Sequence, residues 1–230
     1  MVRFFHIAGS NLKNNLLPQF LVAVAFLLLT PLLMGIEYLN ISNTARVLEM
    51  YTALIGIILL TPISLPEQDK DIRELVGTKY TNTTVVTLIR VLEAGCCLVL
   101  LIGLVLLVLK QKHCIFPLDR FLFGTLAEAF FLGGMGLCAY AIFDQIAVAY
   151  MLPIVYYLIN MSGAKYVKDF YLFSMSRGSY REKYYLAAAG LLLISFGISY
   201  PYLARRVRTG WSTILSSWAG LKPQKRQNRI

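Results

Sequence analysis

Residues 64–84 read SLPEQDKDIRELVGTKYTNTT. Six of the eight positions from Glu67 to Glu74 are charged, and Lys79 adds a seventh charge. Long apolar runs lie on both sides. A densely charged, helix-like stretch makes a poor lipid-facing surface and a poor passive linker. Clamped between two apolar runs, it predicts membrane spans joined by a handle through which a soluble partner moves the membrane part.

The composition agrees. The chain is 57% hydrophobic and 15% charged, with a mean hydropathy of +0.63. Soluble domains carry about 25% charged residues. Crossing about 30 Å of hydrocarbon takes about 20 apolar residues in a helix. Six runs are candidates: residues 16–39, 50–66, 84–109, 121–143, 145–161 and 184–203. The second and fifth are short, and almost nothing separates the fourth from the fifth. The connection from Tyr38 to Glu49 is short and polar and is expected to be an outer turn.

The opening MVRFFHIAGSNLKNN lacks a compact apolar stretch followed by a small-residue cleavage site, so no cleavable signal peptide is predicted. It suits a short interfacial helix over residues 1–15. Phe4, Phe5 and Leu12 would lie among headgroups, with Arg3 and Lys13 toward water. Cys96, Cys97, Cys114 and Cys138 match no redox or metal spacing and read as small apolar residues. The net charge of +10 is better used for topology than for nucleic acid. Six spans put both termini on one side. If that side is cytoplasmic, it holds twelve Lys and Arg against nine outside, a modest inside bias. The basic tail, residues 204–230, suits an anionic inner leaflet. The expected place is a plasma membrane, crossed several times, with both termini cytoplasmic.

Ser64 and Glu67 form a capping-box pattern, and Pro66 is tolerated in a first helical turn. A helix over residues 65–76 follows. Its acids Glu67, Asp69 and Asp71 sit at the positive end of the helix dipole. Asp69 and Arg73 are spaced to pair, Ile72, Leu75 and Val76 share a face, and Gly77 is a plausible stop. An interfacial helix is normally Lys- and Arg-rich on its polar face. Four acids in the first eleven residues favour a protein partner instead.

Three charges belong inside predicted spans. Arg90 and Glu93 lie at the inner edge of the third and are spaced to pair, as a snorkelling pair or part of a gate. Glu128 lies eight residues into the fourth, with no basic residue within a turn. An ionised acid near mid-membrane costs about 2.5–3.5 kcal/mol on the translocon scale, so it should face protein or water. The same span carries Ala129, Gly133, Gly134 and Gly136, small residues that let helices approach closely. Glu128 is thus either a protonated structural acid or a pathway-lining group. Residues 162–183 mix basic and aromatic side chains, which suits an outer hairpin, re-entrant or lying at the headgroups.

No phosphate-binding G-x-x-x-x-G-K-[ST] loop occurs, nor a G-x-S-x-G or H-E-x-x-H pattern. No catalytic residue, cofactor site or metal site is assigned. His6 and His113 read as surface residues, and the Asn-x-Ser/Thr matches at Asn40, Asn82 and Asn160 carry no weight.

The layout as a whole resembles the type-2 membrane subunits of bacterial ATP-binding cassette (ABC) exporters. An interfacial helix, six spans, an acidic helix between the second and third, and an aromatic hairpin before the sixth carry the resemblance. Glu67, then Ile72-Arg73-Glu74-Leu75, then Thr78-Lys79-Tyr80 match the family's pattern after the second span, with Asp71 where a glycine is usual. The resemblance implies an all-α integral membrane protein of six transmembrane helices, with a coupling helix at residues 65–76. Glu67, Asp69, Ile72, Arg73, Glu74, Leu75 and Lys79 would meet a cytosolic ABC ATPase that carries the ATP and magnesium. A second membrane subunit, the same or homologous, would complete the pathway. This chain would be no enzyme itself, and it would export a peptide, drug or lipid-like substrate. Two other classes stay open. Glu128 and the Arg90/Glu93 pair would serve an ion-coupled carrier, although the halves show no internal repeat. A non-transporting immunity or sensor protein would bind a peptide at the outer hairpin.

Overall fold

The apolar runs fold as helices, and the breaks between them fall at prolines, glycines and polar turns. The structure, a computed structural model, describes residues 9, 11–35, 37–67, 83–163 and 167–218, the stretch 201–218 as helix backbone alone. Among the described residues there is no strand.

Helix α1 (Leu17–Met34) continues from a π-helical turn, Leu12–Leu16, and stops at Gly35, whose φ of +64° suits a residue without Cβ. The second pass is built in pieces: α2 (Ile41–Met50), a 3-10 turn (Thr52–Leu54), α3 (Ile55–Leu60) and a 3-10 segment (Thr61–Glu67) carrying Pro62 and Pro66. Then come α4 (Thr83–Gln111), α5 (Leu118–Phe143) and α6 (Ile146–Met161). Two 3-10 turns, Lys168–Phe170 and Leu172–Arg177, lead into α7 (Arg181–Trp218).

Five segments are long and apolar enough to cross a membrane: Leu17–Met34, Ile41–Ile63, Thr84–Gln111, Leu118–Phe143 and Arg181–Tyr200. The fifth of the six runs forms the shorter helix α6, of 16 residues. The chain is an all-helical, multi-pass membrane protein.

Two expectations need correction. Residues 38–49 are not a simple turn. A helix begins at Ile41 and buries Thr44, Ala45, Val47, Leu48 and Glu49, so the second pass starts nine residues earlier than the apolar run at Met50 indicates. Its amphipathic first half hides one apolar face behind Ser42, Asn43 and Arg46, which are exposed. Ser64 does not precede a helix start: the 3-10 segment Thr61–Glu67 runs through it. The expected interfacial helix at residues 1–15 lies largely outside the described residues, as do the coupling-helix positions beyond Glu67 and the tail after Trp218.

Helix α5 is the centre of the bundle. In its most apolar stretch 67% of the residues are buried, against 11% for α1. Its glycines set that arrangement. A Cβ on Gly133 would stand 2.5 Å from the Gly56 carbonyl oxygen, and one on Gly134 would stand 3.0 Å from the Gly190 carbonyl oxygen. A Cβ on Gly190 would meet the Phe131 backbone nitrogen at 2.9 Å. In lipid there is no hydrophobic drive between helices, so close backbone approach over small residues supplies the packing energy. The predicted role of Ala129, Gly133, Gly134 and Gly136 holds: all four are buried.

The contacts also fix direction. Gly56 faces Ala129 and Thr61 faces Gly136. Gly190 faces Phe131 and Gly197 faces Leu137. Numbers rise together along each pair, so α3, α5 and α7 run parallel. Helix α6 runs back against α5, with Ala149 facing Gly136 and Tyr156 facing Phe131. Asn11 meets Glu93, and Arg90 meets the Ile63 carbonyl, at one end of the bundle. Tyr38 meets Lys112, and Ser42 meets Ser176, at the other.

Candidate functional site: a buried charge cluster beneath a folded-in hairpin

The segment between α6 and α7 does not lie flat at a surface. Tyr171 through Met175 are buried, and Phe173 breaks the helical geometry with φ −86° and ψ +44°. Irregular backbone inside a membrane bundle is tolerated only where protein groups satisfy it, because lipid offers no hydrogen bonds. Here side chains from α2, α6 and α7 do so. The Tyr156 hydroxyl donates to the Phe170 carbonyl at 2.7 Å. The Leu172 amide donates to Asn160 Oδ1 at 3.0 Å, while Asn160 Nδ2 donates to the Tyr156 carbonyl at 2.9 Å. The Met175 and Ser176 amides donate to Glu49 Oε1 and Oε2 at 2.6 and 3.1 Å. The Ser42 hydroxyl donates to the Ser176 carbonyl at 2.9 Å.

The hairpin ends on Gly178, left-handed at φ +79°. The Gly178 amide donates to Met175 at 2.9 Å and the Ser179 amide to Ser174 at 3.1 Å, which is a Schellman closure. Tyr157, on α6, stacks edge-on against Phe173, and its hydroxyl donates to the Met50 carbonyl at 2.7 Å. That carbonyl is freed where the second pass breaks at Tyr51. The basic–aromatic content of the segment is used partly outward, with the Arg177 guanidinium 4.6 Å from the Tyr171 ring. The central residues of the expected hairpin are thus held within the protein by these partners. Their apolar and aromatic side chains gain burial once these partners satisfy the backbone.

At the base of the hairpin lies a cluster that sequence reasoning did not assemble. Glu49 from α2, Glu128 from α5 and Lys183 from α7 are 0%, 0% and 1% exposed. The Lys183 ammonium donates to Glu49 Oε1 at 2.8 Å, contacts Glu128 Oε1, and donates to the Leu172 carbonyl. Two of its protons have hydrogen-bond acceptors, and the Glu128 carboxylate lies beside them in ion-pair contact. Glu49 has four hydrogen bonds' worth of capacity and uses three, all from donors in the hairpin and α7. Neither Glu128 oxygen has a hydrogen-bond partner among the described residues. Glu128 does face protein, as its cost in lipid requires, but it is not the isolated acid of the one-dimensional reading.

The Arg90/Glu93 pair resolves differently. Glu93 accepts from Asn11 Nδ2 at 2.6 Å, and Arg90 donates to the Ile63 carbonyl at 3.4 Å. Each side chain ties a different neighbouring segment to α4. Both lie at the end of the bundle where the charged segment leaves, opposite the hairpin. Glu67 ends the 3-10 segment there. Asp69, Ile72, Arg73, Glu74, Leu75 and Lys79 lie outside the described residues. At the hairpin end an exposed pair, Glu37 and Lys112 at 2.6 Å, staples the first turn. The Lys112 ammonium holds the Glu37 carboxyl below its ordinary value of 4.5.

A groove of about 280 Å³ separates α1 from the bundle. Phe20, Val24, Val47, Leu101 and Leu109 line it, and Thr30 is one polar residue in its wall. Among the described residues no group of His, Cys, Asp or Glu could hold a metal ion.

Comparison of the chain with protein-family models, with curated proteins and with solved structures gives no match. What fold and site define is a class: a multi-pass helical membrane protein whose buried ion cluster pins an irregular hairpin inside the bundle.

Proposed function

We propose that this chain is the membrane permease subunit of a bacterial ABC exporter, coupling ATP hydrolysis in a partner ATPase to export of a peptide, drug or lipid-like substrate. The observation that carries the reading is the polarity of the bundle. The charged segment between the second and third passes emerges at the end of the bundle that also holds Asn11 and the far end of α7, opposite the hairpin. A soluble motor at that end would push on Glu67, Asp69, Ile72, Arg73, Glu74, Leu75 and Lys79. Motion of the segment would pass into the parallel α3–α5–α7 stack, whose glycine contacts leave little slack. Both termini would then be cytoplasmic and the hairpin outside. The apolar groove beside α1 suits a hydrocarbon part of the cargo.

The test is co-purification with a cassette ATPase. A stable complex is expected, lost when Glu67 and Glu74 are changed to Lys. Purification of the chain alone, with substrate movement independent of ATP, would sink the proposal. A second reading, an ion-coupled carrier, is favoured by the buried Glu128. It requires transport that follows an ion gradient and loses that coupling in Glu128→Gln.

A further inference from the structure

The Glu49–Lys183–Glu128 cluster holds two acids and one base away from water. With all three ionised it carries a net charge of −1 in a medium where an uncompensated charge costs several kcal/mol. The elements packed around Glu128 offer no second cation among the described residues. Helix α2 brings Glu49, and α7 brings Lys183. Arg181 and Arg120 are exposed, with their guanidinium groups over the Tyr185 and Tyr180 rings. In the hairpin, Arg177 is exposed over Tyr171 and Asp169 is exposed. Helix α6 brings Tyr157, whose hydroxyl is committed to Met50. Of the charged side chains of α4, Arg90 meets the Ile63 carbonyl and Glu93 meets Asn11 away from the hairpin, and Lys110 is exposed. No second cation among the described residues reaches the cluster.

Hydrogen-bond bookkeeping separates the two acids. Glu49 accepts three hydrogen bonds, two from hairpin amides and one from Lys183. Glu128 has Lys183 in ion-pair contact with Oε1 and no hydrogen bond to either oxygen. A proton on Glu128 Oε2 makes the cluster neutral without disturbing any bond to the hairpin.

We propose that Glu128 is a proton-binding site and that the cluster is a proton-operated latch on the hairpin. With the proton bound, Lys183 serves Glu49 and the Leu172 carbonyl, and the hairpin is held in. When the proton leaves, the second carboxylate competes for Lys183 and the buried charge must be hydrated. Water enters where the hairpin covers the cluster, so the hairpin loosens. The three groups titrate as a unit. The stabilisation is present while the proton is bound and is lost as pH rises through that titration. The proposal does not depend on the exporter reading.

The experiment uses the full chain in lipid nanodiscs. Hydrogen–deuterium exchange is followed in peptides covering residues 167–180, corrected for intrinsic exchange, from acid to alkaline pH. Protection is expected to fall about tenfold per pH unit above the titration, as a single linked proton requires. Glu128→Gln, which is neutral at every pH, should keep acid-like protection throughout, and Glu128→Asp should keep the pH dependence. Infrared spectra of the wild type should show a protonated carboxyl stretch that Glu128→Gln removes. PH-independent protection, or no protonated carboxyl in the wild type, would overturn the proposal. So would protection that follows sodium concentration at fixed pH, since the site would then take a metal cation. The infrared measurement decides the matter even if the glutamine variant does not fold.

Discussion

Replacing Lys183 with Met tests the cluster as a unit. Met keeps most of the length and apolar volume of the lysine stem but has no ammonium. Three acceptors then lose their shared donor: Glu49 Oε1 at 2.8 Å, the Glu128 carboxylate and the Leu172 carbonyl. Breaking a buried pair by removing one partner costs about 3–5 kcal/mol, because it strands an unpaired charge. Where the pH has removed the Glu128 proton, two acids are stranded. The Met175 and Ser176 amides still point at the Glu49 oxygens. The expected loss is therefore about 3–5 kcal/mol, a large share of a typical stability of about 5–15 kcal/mol.

The assay is denaturant unfolding of the reconstituted chain, read at the transition midpoint with the slope held constant. Adding Glu128→Gln to Lys183→Met should return part of the loss, giving a non-additive term of about 0.5–3 kcal/mol. A Lys183→Met variant within about 1 kcal/mol of wild type would refute the reasoning, because that is the range of surface pairs.

Other outcomes follow from the same geometry. Gly190→Ala forces a methyl against the Phe131 backbone and should destabilise by about 1–3 kcal/mol. Gly103→Ala, with nothing within 4 Å of its Cβ, should instead gain about 0.5–1 kcal/mol of helix stability; equal effects in unfolding would contradict the assigned packing. Tyr157→Phe should cost about 0.5–1.5 kcal/mol and raise exchange around Met50 and Tyr51. The Glu37 carboxyl should titrate below 4.5 by NMR and return toward it in Lys112→Ala or high salt. Its contribution is present above the unfolded value and is lost as pH falls through the lowered one.

Much of the helix content was legible because apolar runs of this length have few alternatives in lipid. The fourth span was read best, since clustered Gly and Ala have one obvious use and Glu128 one obvious constraint. The partners of Glu128 were missed for physical reasons. Glu49 sits at the edge of its apolar run, and a short polar stretch before a span looks the same whether it is a turn or an amphipathic half-helix. Spacing held the usable signal: Thr44, Ala45, Leu48, Glu49 and Thr52 recur at helical intervals. Lys183 was counted among five basic residues of a loop. Yet Lys183, Leu186, Gly190, Ile194 and Gly197 form one stripe, all buried, and that stripe could have placed the lysine inward. The hairpin's depth was not legible at all, because it depends on donors and acceptors supplied by three distant helices.

The parallel stacking of the second, fourth and sixth passes has a consequence for biogenesis. The three charged members arrive in the order Glu49, Glu128, Lys183, and the only base comes last. Until the final pass is made, two acids wait in the bilayer without their counter-ion, each at about 2.5–3.5 kcal/mol if ionised at the membrane centre. A nascent chain that stops short of Lys183 is thus chemically marked as incomplete. Arrival of a single lysine removes the mark and seats the hairpin, so the last residues to enter also report that the earlier ones are in place.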